Sequence, residues 1–426
     1  MPLPPSAMPA AKPQIQTPAS ALAQTPAASA APVVVDARIG EHGDRTRFVI
    51  EVSDPVQLRV FTLTNPGRVV IDLPEVLWRL QNAERPGGNG AVKSYRYGPF
   101  RPGNSRFVID LNSPVSVGMP MVLPPADGFG YRIVLDLFAT TQEQFDASAG
   151  WPADLRARET AVESVAVAQA PTANMAVPTP QPSPTAPPAK RIVVIDPGHG
   201  GIDTGTTGIN GMQEKDFVLD EGLRLGRALA KHGYEVHYTR NTDIFIPLTE
   251  RVAISRADHA DLFISLHADS NTNSGVNGLS VYTLSERGSD SEAAALARKE
   301  NQSDIVAGVD LSQQDSPVAS ILIDLAQRDT INRSTRFAMA ALAQLLRATD
   351  ILPREPHRSA AFVVLKAPDV PAVLIELGYL SNPQDAGQMR NDGWRNRVAE
   401  AISAAVDRHF APETAAAVSP GQQAAK

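Results

Sequence analysis

Apolar and polar residues alternate along this chain with two different rhythms in two different places. Between residues 33 and 140 the apolar residues come in short β-branched runs bounded by Pro, Gly and Asn, a pattern that predicts half-buried strands. These runs repeat. Arg47-Phe48-Val49-Ile50-Glu51-Val52 with Pro55-Val56 returns as Arg106-Phe107-Val108-Ile109-Asp110-Leu111 with Pro114-Val115. Likewise Arg68-Val69-Val70-Ile71-Asp72-Leu73 returns as Arg132-Ile133-Val134-Leu135-Asp136-Leu137. Each half reads as strand, turn, strand, strand. Two matched halves predict an all-β sandwich of two similar sheets packed face to face.

From residue 191 the pattern switches between strand and helix. Arg191–Asp196, Tyr234–Thr239, Asp261–His267, Gly278–Leu284, Ala361–Leu365 and Ala372–Leu377 read as strands. Asp216 to His232 carries Phe217, Leu219, Leu223, Leu225 and Leu229 at helical spacing with Gly233 as its stop, and further helices are predicted at Leu248–Ala257, near 334–348 and near 393–409. The alternation predicts a doubly wound α/β domain over 191–412, with functional residues at strand ends and in the loops that follow. The fold class is therefore multidomain, β-sandwich followed by α/β.

One stretch departs from this scheme. Residues 285–333 far exceed an ordinary strand-to-helix connection. Ser289 and Glu292 form a capping box ahead of Ala293–Ala297, and Ser316-Pro317 opens a second helix with Val318, Ile321, Leu322 and Leu325 on one face. A helical insertion is predicted.

Composition divides the rest. Of the 36 Pro, eight lie in residues 1–32 and seven in Pro171–Lys190, which predicts a disordered arm and an extended spacer inside a 141–190 linker. Trp151–Ala170 is Ala-rich and reads as a short surface helix, and 413–426 as a loose tail. The absence of Cys excludes disulfides, thiolate nucleophiles and Cys-type zinc sites. A net charge of −7 argues against nucleic-acid binding, and no apolar run reaches the length of a transmembrane helix. Met1-Pro2-Leu3-Pro4-Pro5 lacks the basic start and apolar stretch of a signal peptide, leaving either a cytoplasmic protein or an export signal outside this chain.

Three side chains able to bind zinc fall where the topology concentrates function. His199 follows the first α/β strand in Asp196-Pro197-Gly198-His199-Gly200-Gly201, Glu214 opens the next helix, and His267 closes the strand Leu262–His267. Two imidazoles and one carboxylate leave a fourth tetrahedral position for water, the pattern of a hydrolytic zinc. Glu376 ends the apolar strand Val373-Leu374-Ile375-Glu376-Leu377, where a zinc-bound water would give its carboxylate a partner. Taken singly, each has an ordinary alternative: a turn histidine, a carboxylate complementing a helix dipole, an ion pair of Glu376 with Lys366. His357, before a predicted core strand, is a candidate for the cleft wall; His42, His232, His237, His259 and His409 are not ligand candidates.

The segments Ile195-Asp196-Pro197-Gly198-His199-Gly200-Gly201-Ile202-Asp203, Glu214-Lys215, Ser265-Leu266-His267-Ala268-Asp269, and Leu365-Lys366-Ala367-Pro368 followed by Ile375-Glu376-Leu377-Gly378-Tyr379-Leu380-Ser381-Asn382 together resemble the type 3 zinc-dependent N-acetylmuramoyl-L-alanine amidases. The resemblance covers about 191–410, and the repeated β domain resembles the AMIN domain of Gram-negative members. It implies that His199, Glu214 and His267 bind Zn2+, that Glu376 is the catalytic acid/base, and that peptidoglycan is the substrate. It further implies a periplasmic location at the division septum and a β domain that binds peptidoglycan or a division-site component. Members with such an insertion are self-blocked until an activator protein moves it, which here makes Glu286 and Glu292, at the start of 285–333, candidates for the blocking acid. Two rival readings are a zinc peptidase acting on stem peptides and a wall-binding scaffold with a vestigial site.

Overall fold

The computed structural model describes residues 31–80, 88–126, 128–152, 190–309 and 321–411. The predicted disordered arm 1–32, most of the linker, the Ala-rich stretch after Pro152, the opening of the second inserted helix at Ser316-Pro317 and the tail lie largely or wholly outside them. The described residues from Pro32 onward form a single contact unit.

The β region contains strands Val33–His42 (β1), Arg45–Val52 (β2), Arg59–Leu63 (β3), Arg68–Pro74 (β4), Leu77–Trp78 (β5), Val92–Arg101 (β6), Asn104–Leu111 (β7), Val115–Val117 (β8), Met121–Leu123 (β9) and Tyr131–Ala139 (β10). They form two sheets, ordered β5-β1-β2-β10-β8 with β9 also on β10, and β3-β4-β7-β6. The repeat does not map one half to one sheet. β2 of the first half pairs with β10 of the second, and β4 of the first pairs with β7 of the second, so each half sends strands to both sheets. Phe48, Ile50 and Val52 from one sheet meet Val69, Ile71, Phe107 and Ile109 from the other in a fully buried core. The exchange sets Arg47 opposite Asp136 in one sheet and its repeat mate Arg106 opposite Asp72 in the other. Trp151, placed by its composition at the start of a surface helix, is instead buried against Phe61. An aromatic ring of that size is stabilised by leaving water wherever a neighbouring apolar surface is within reach.

The α/β region holds Ile192–Pro197 (β11), Glu235–Tyr238 (β12), Leu262–His267 (β13), Ser280–Leu284 (β14), His357–Ala360 (β15) and Ala372–Glu376 (β16), in the order β12-β11-β13-β16-β14-β15. The strands β12, β11, β13 and β16 run parallel, and β14 is antiparallel to β16. Alternation sorts their side chains: Val193, Ile195, Leu262, Ile264, Leu266, Val373 and Ile375 enter one core with helices Glu214–Lys231, Ile321–Leu345 and Asp392–Phe410. Val194, Phe263, Ala372 and Leu374 enter the other, which includes Leu248 of the helix Leu248–Ala257 and Ala293 and Ala297 of the inserted helix Ser291–Glu300. By the same parity His267 and Glu376 project toward the face that the insertion covers.

Three local expectations are revised. The strand expected at Ala361–Leu365 is displaced to His357–Ala360, and Val363–Leu365 forms a 3-10 turn. The inserted helix begins behind Asp290, whose side chain accepts from Ala293 N at 2.8 Å, rather than at a Ser289/Glu292 capping box. The helix expected to start near 334 runs without interruption over Ile321–Leu345. The faces of Leu322 and Leu325 lie outside the described side chains.

Candidate metal centre

β11 delivers the chain into a turn in which His199 has φ +57°, a conformation that costs a non-glycine residue about 1–3 kcal/mol. Buried arginines hold it there. Arg240 donates to the carbonyls of Pro197 and Gly198 at 2.9 and 2.8 Å, and Arg251 to those of Pro197 and His199 at 2.9 and 2.7 Å. Asp196 compensates Arg251 at 2.9 Å and also accepts from Thr239 and Ser265. A Cβ at position 198 would lie 2.4 Å from the His267 ring, so glycine there is what lets the two histidines meet. Their ring centroids are 4.9 Å apart.

Four side-chain atoms converge. His199 Nε2 lies 3.1 Å from Glu214 Oε1 and 3.4 Å from Glu300 Oε2. His267 Nδ1 lies 3.3 Å from Glu214 Oε1 and 3.1 Å from Glu300 Oε2. Bonds of 2.0–2.1 Å in a tetrahedron separate neighbouring ligand atoms by about 3.3–3.4 Å, and each imidazole nitrogen lies about that far from one oxygen of each carboxylate; the ligand atoms of His199, His267 and Glu300 all lie within 4.8 Å of one another. Both ring nitrogens are buried and make no hydrogen bond among the described residues. The other His199 nitrogen, Nδ1, is 2.9 Å from Asp203 Oδ2, the type of outer partner that fixes which nitrogen faces a metal. Glu214 is held from behind by Ala268 N and Thr206 N, each at 2.9 Å.

Glu376 pairs in register with His267 on the adjacent strand and accepts from Asp269 N at 3.0 Å. Its Oε1 is buried and without a hydrogen-bond partner among the described residues. Burial, reinforced by Asp269, Glu214 and Glu300 and opposed by His267, raises its pKa well above the usual carboxylate range. At His199 burial opposes protonation, but Glu214, Asp203 and Glu300 outweigh it and raise the pKa. At His267 the same contest, with Glu300 the main opponent of burial, ends near 10. The centre thus draws positive charge to itself, in protons when no cation is bound.

The sequence-predicted residues His199, Glu214, His267 and Glu376 come together. Glu286 and Glu292 do not join them: both are exposed, and Glu292 pairs with Arg358 at 2.9 Å. The acid that enters is Glu300, the last residue of the inserted helix, on the same buried face as Ala293 and Ala297. Lys299 pairs with Asp269, and Ser303 donates to Asp203. His357 sits on β15, 3.1 Å from Thr283 Oγ1. Reading the sequence missed Asp203, Arg240, Arg251 and Glu300. For Glu300 a signal existed in the spacing 293, 297, 300, which puts one acid on the apolar side of an amphipathic helix.

Fold and site define a class, an α/β domain with a candidate mononuclear metal centre at the ends of parallel strands. Residues 193–408 match the N-acetylmuramoyl-L-alanine amidase family, and residues 35–118 match the AMIN domain. The chain is 35% identical over 385 residues to the amidase AmiC of Escherichia coli O6:H1, covering 89% of each. It is 41% identical over 222 residues to AmiA of Escherichia coli K12, covering 52% of this chain and 76% of that one. A solved amidase of Nostoc punctiforme is 29% identical, with a TM-score of 0.39, covering 52% of this chain and 97% of that one. The chain belongs to the N-acetylmuramoyl-L-alanine amidase family, enzymes that hydrolyse the amide between N-acetylmuramic acid and L-alanine.

Proposed function

We propose that this amidase uses a zinc ion held by His199, Glu214 and His267, with Glu376 as the proton-transfer group, and that Glu300 keeps it inactive by occupying the fourth position. The observation that carries the reading is the ring of spacings from 3.1 to 3.4 Å among His199 Nε2, His267 Nδ1, Glu214 Oε1 and Glu300 Oε2. Zinc, when bound, supplies a nucleophile from water near neutral pH and polarises the amide carbonyl. Glu376, with its buried Oε1 unpartnered among the described residues, would accept a proton from the attacking water and return it to the departing alanine nitrogen. The amide and one water give the lactyl carboxylate and the alanyl ammonium: the water oxygen bonds to the carbonyl carbon as the C–N bond breaks, and both water protons end on the departing nitrogen. Asp203 holds the His199 ring with Nε2 inward throughout.

In the inhibited state the segment 299–303 covers the centre through three side chains: Glu300 on the ligand nitrogens, Lys299 on Asp269 and Ser303 on Asp203. An activator protein that draws the insertion aside would open the fourth position to water and substrate. Family membership supports a periplasmic site of action at the septum, with the AMIN region binding the wall and raising local substrate concentration. The test is metal analysis of the purified chain together with mass spectrometry of peptidoglycan digested by its Glu300→Ala variant. About one zinc per chain, and free stem peptides beginning at L-alanine, are expected. Cleavage inside stems would mark a peptidase, and neither metal nor product would mark a scaffold.

A further inference from the structure

The two Arg–Asp pairs that the β repeat creates have different surroundings. Arg47 forks onto Asp136 at 2.6 and 2.8 Å with its side chain 32% exposed. Arg106 forks onto Asp72 at 2.5 and 2.9 Å, yet its side chain is only 1% exposed. Arg106 is covered by the Phe100 ring, whose centroid lies 3.5 Å from its guanidinium carbon, by Trp151 at 5.2 Å, and by the chain that follows Glu300. Its remaining nitrogen, Nη1, donates to the carbonyls of Ala307 and Gly308, both at 3.1 Å. Two neighbours on the same sheet continue the pattern: Arg68 donates to Ile305 O at 2.8 Å, and Arg96 to Val306 O and to Ile305 O. Guanidiniums from β4, β6 and β7 thus engage the successive main-chain carbonyls of residues 305 to 308.

Apolar contacts seal this junction. Ala307 and Val309 share a buried cluster with Phe61, Leu63, Val70 and Val108 of the β region. Gly308 has φ +69°, and a Cβ there would lie 2.9 Å from Val108 Cγ2 and 3.2 Å from Val70 Cγ2, so the sheet approaches as closely as only a glycine permits. The same domain also meets the loop that carries His199, where Ile202 N donates to Pro99 O at 2.9 Å. It therefore grips both the fixed and the inserted wall of the centre.

We propose that the β3-β4-β7-β6 sheet is an inhibitory clamp: besides any role at the wall, the β domain binds the backbone of residues 305–308 and thereby holds Glu300 over the metal ligands. The inference rests on the reading that Glu300 is the blocking acid. Guanidinium-to-carbonyl bonds are of the stronger, charge-assisted kind, and because they read main chain they fix position whatever the side chains of the turn. An activator would then have to break the β-domain contact as well as the Glu300 contact.

The test uses the full chain with Arg96→Ala, Gly308→Val, Glu300→Ala and, as the control from the solvent-facing pair, Arg47→Ala. Hydrogen exchange of residues 299–309 is read beside dye release from labelled sacculi. For Arg96→Ala and Gly308→Val, exchange of that segment should accelerate about tenfold and basal dye release should rise by a similar factor, since each removes or displaces the contacts to 305–308, Arg96→Ala losing in addition its pair with Asp110 inside the sheet. Arg47→Ala should change neither. If Glu300→Ala raises dye release while both clamp variants leave exchange at 299–309 unchanged, the clamp is overturned and the blocking role of Glu300 stands. If the clamp variants accelerate exchange but neither they nor Glu300→Ala raise dye release, the blocking reading fails, and the β contact is packing without inhibitory consequence.

Discussion

Two glutamates face the same pair of imidazoles at nearly the same distances, and they are mounted on different parts of the molecule. Glu214 belongs to the α/β core, with both carboxylate oxygens backed by amides of Ala268 and Thr206. Glu300 belongs to the insertion, where its Oε1 has no hydrogen-bond partner among the described residues and the chain around it is held by Lys299, Ser303 and the β-domain arginines. Distance to the centre is the same information for both. The mounting differs: a carboxylate fixed by core amides cannot leave without local unfolding, whereas one on an inserted helix end leaves by breaking a few exchangeable contacts. The proposed ligand and the proposed lid therefore differ in what stands behind the side chain.

The sharpest way to break this comparison is Glu214→Ala. It should remove the metal, which the wild-type chain should hold at about one per molecule, and with it all hydrolysis, as elemental analysis and dye release on the same sample would show. If this variant keeps its zinc, Glu214 is no more a ligand than Glu300, and the core mounting has no functional meaning.

Next comes Glu376→Gln, on the core side of the comparison. Shape is preserved and the proton-accepting oxygen is lost, so zinc content should be unchanged while turnover falls by on the order of 10²–10⁴. The measurement belongs in a Glu300→Ala background, where the basal rate is high enough for such a fall to be seen. Turnover within a factor of a few of the parent would make Glu376 a structural residue.

Glu300→Ala is the counterpart of the first change and should have the opposite sign. Zinc should stay and dye release should rise by about 10–100-fold, the range available if the open state is populated at roughly 1–10% in the wild type. Loss of zinc in this variant would make Glu300 a true ligand and erase the distinction drawn between the two acids.

Legibility in the sequence divides along the same line. The core wall could be read because its residues sit in strands whose alternation is continuous and whose ends are marked: Leu262 to His267 is buried throughout, and a histidine closing such a run is conspicuous. The strand exchange in the β domain was not legible, since the repeat fixes which segments are alike but not whether like segments share a sheet. Nor was the acid that the insertion brings to the centre. Glu286 and Glu292 lie early in 285–333, while which acid reaches the centre depends on the rotation of Ser291–Glu300, set by Ala293 and Ala297 packing in one cluster with Phe362 and Leu374. Arg240 and Arg251 escaped notice for a related reason, because their work is on backbone carbonyls far away in sequence.

The smallest expected effect gives the finest test of what the insertion touches. Ser303 Oγ donates to Asp203 Oδ2, the same oxygen that partners His199 Nδ1 at 2.9 Å, so one carboxylate serves both the proposed ligand and the insertion. In Ser303→Ala the carboxylate keeps His199 and the amide of Gly205 at 3.1 Å, and only the closed state loses a bond. A hydrogen bond of this kind contributes about 1 kcal/mol, which corresponds to roughly a fivefold rise in the open population and in basal dye release. Zinc affinity, measured by competition with a chelator, should not move. Had Ser303 served instead to steady Asp203 for its hold on His199, the same substitution would weaken zinc binding and leave the basal rate unchanged or lower. The two measurements on one variant therefore decide whether this hydroxyl belongs to the lid or to the ligand shell.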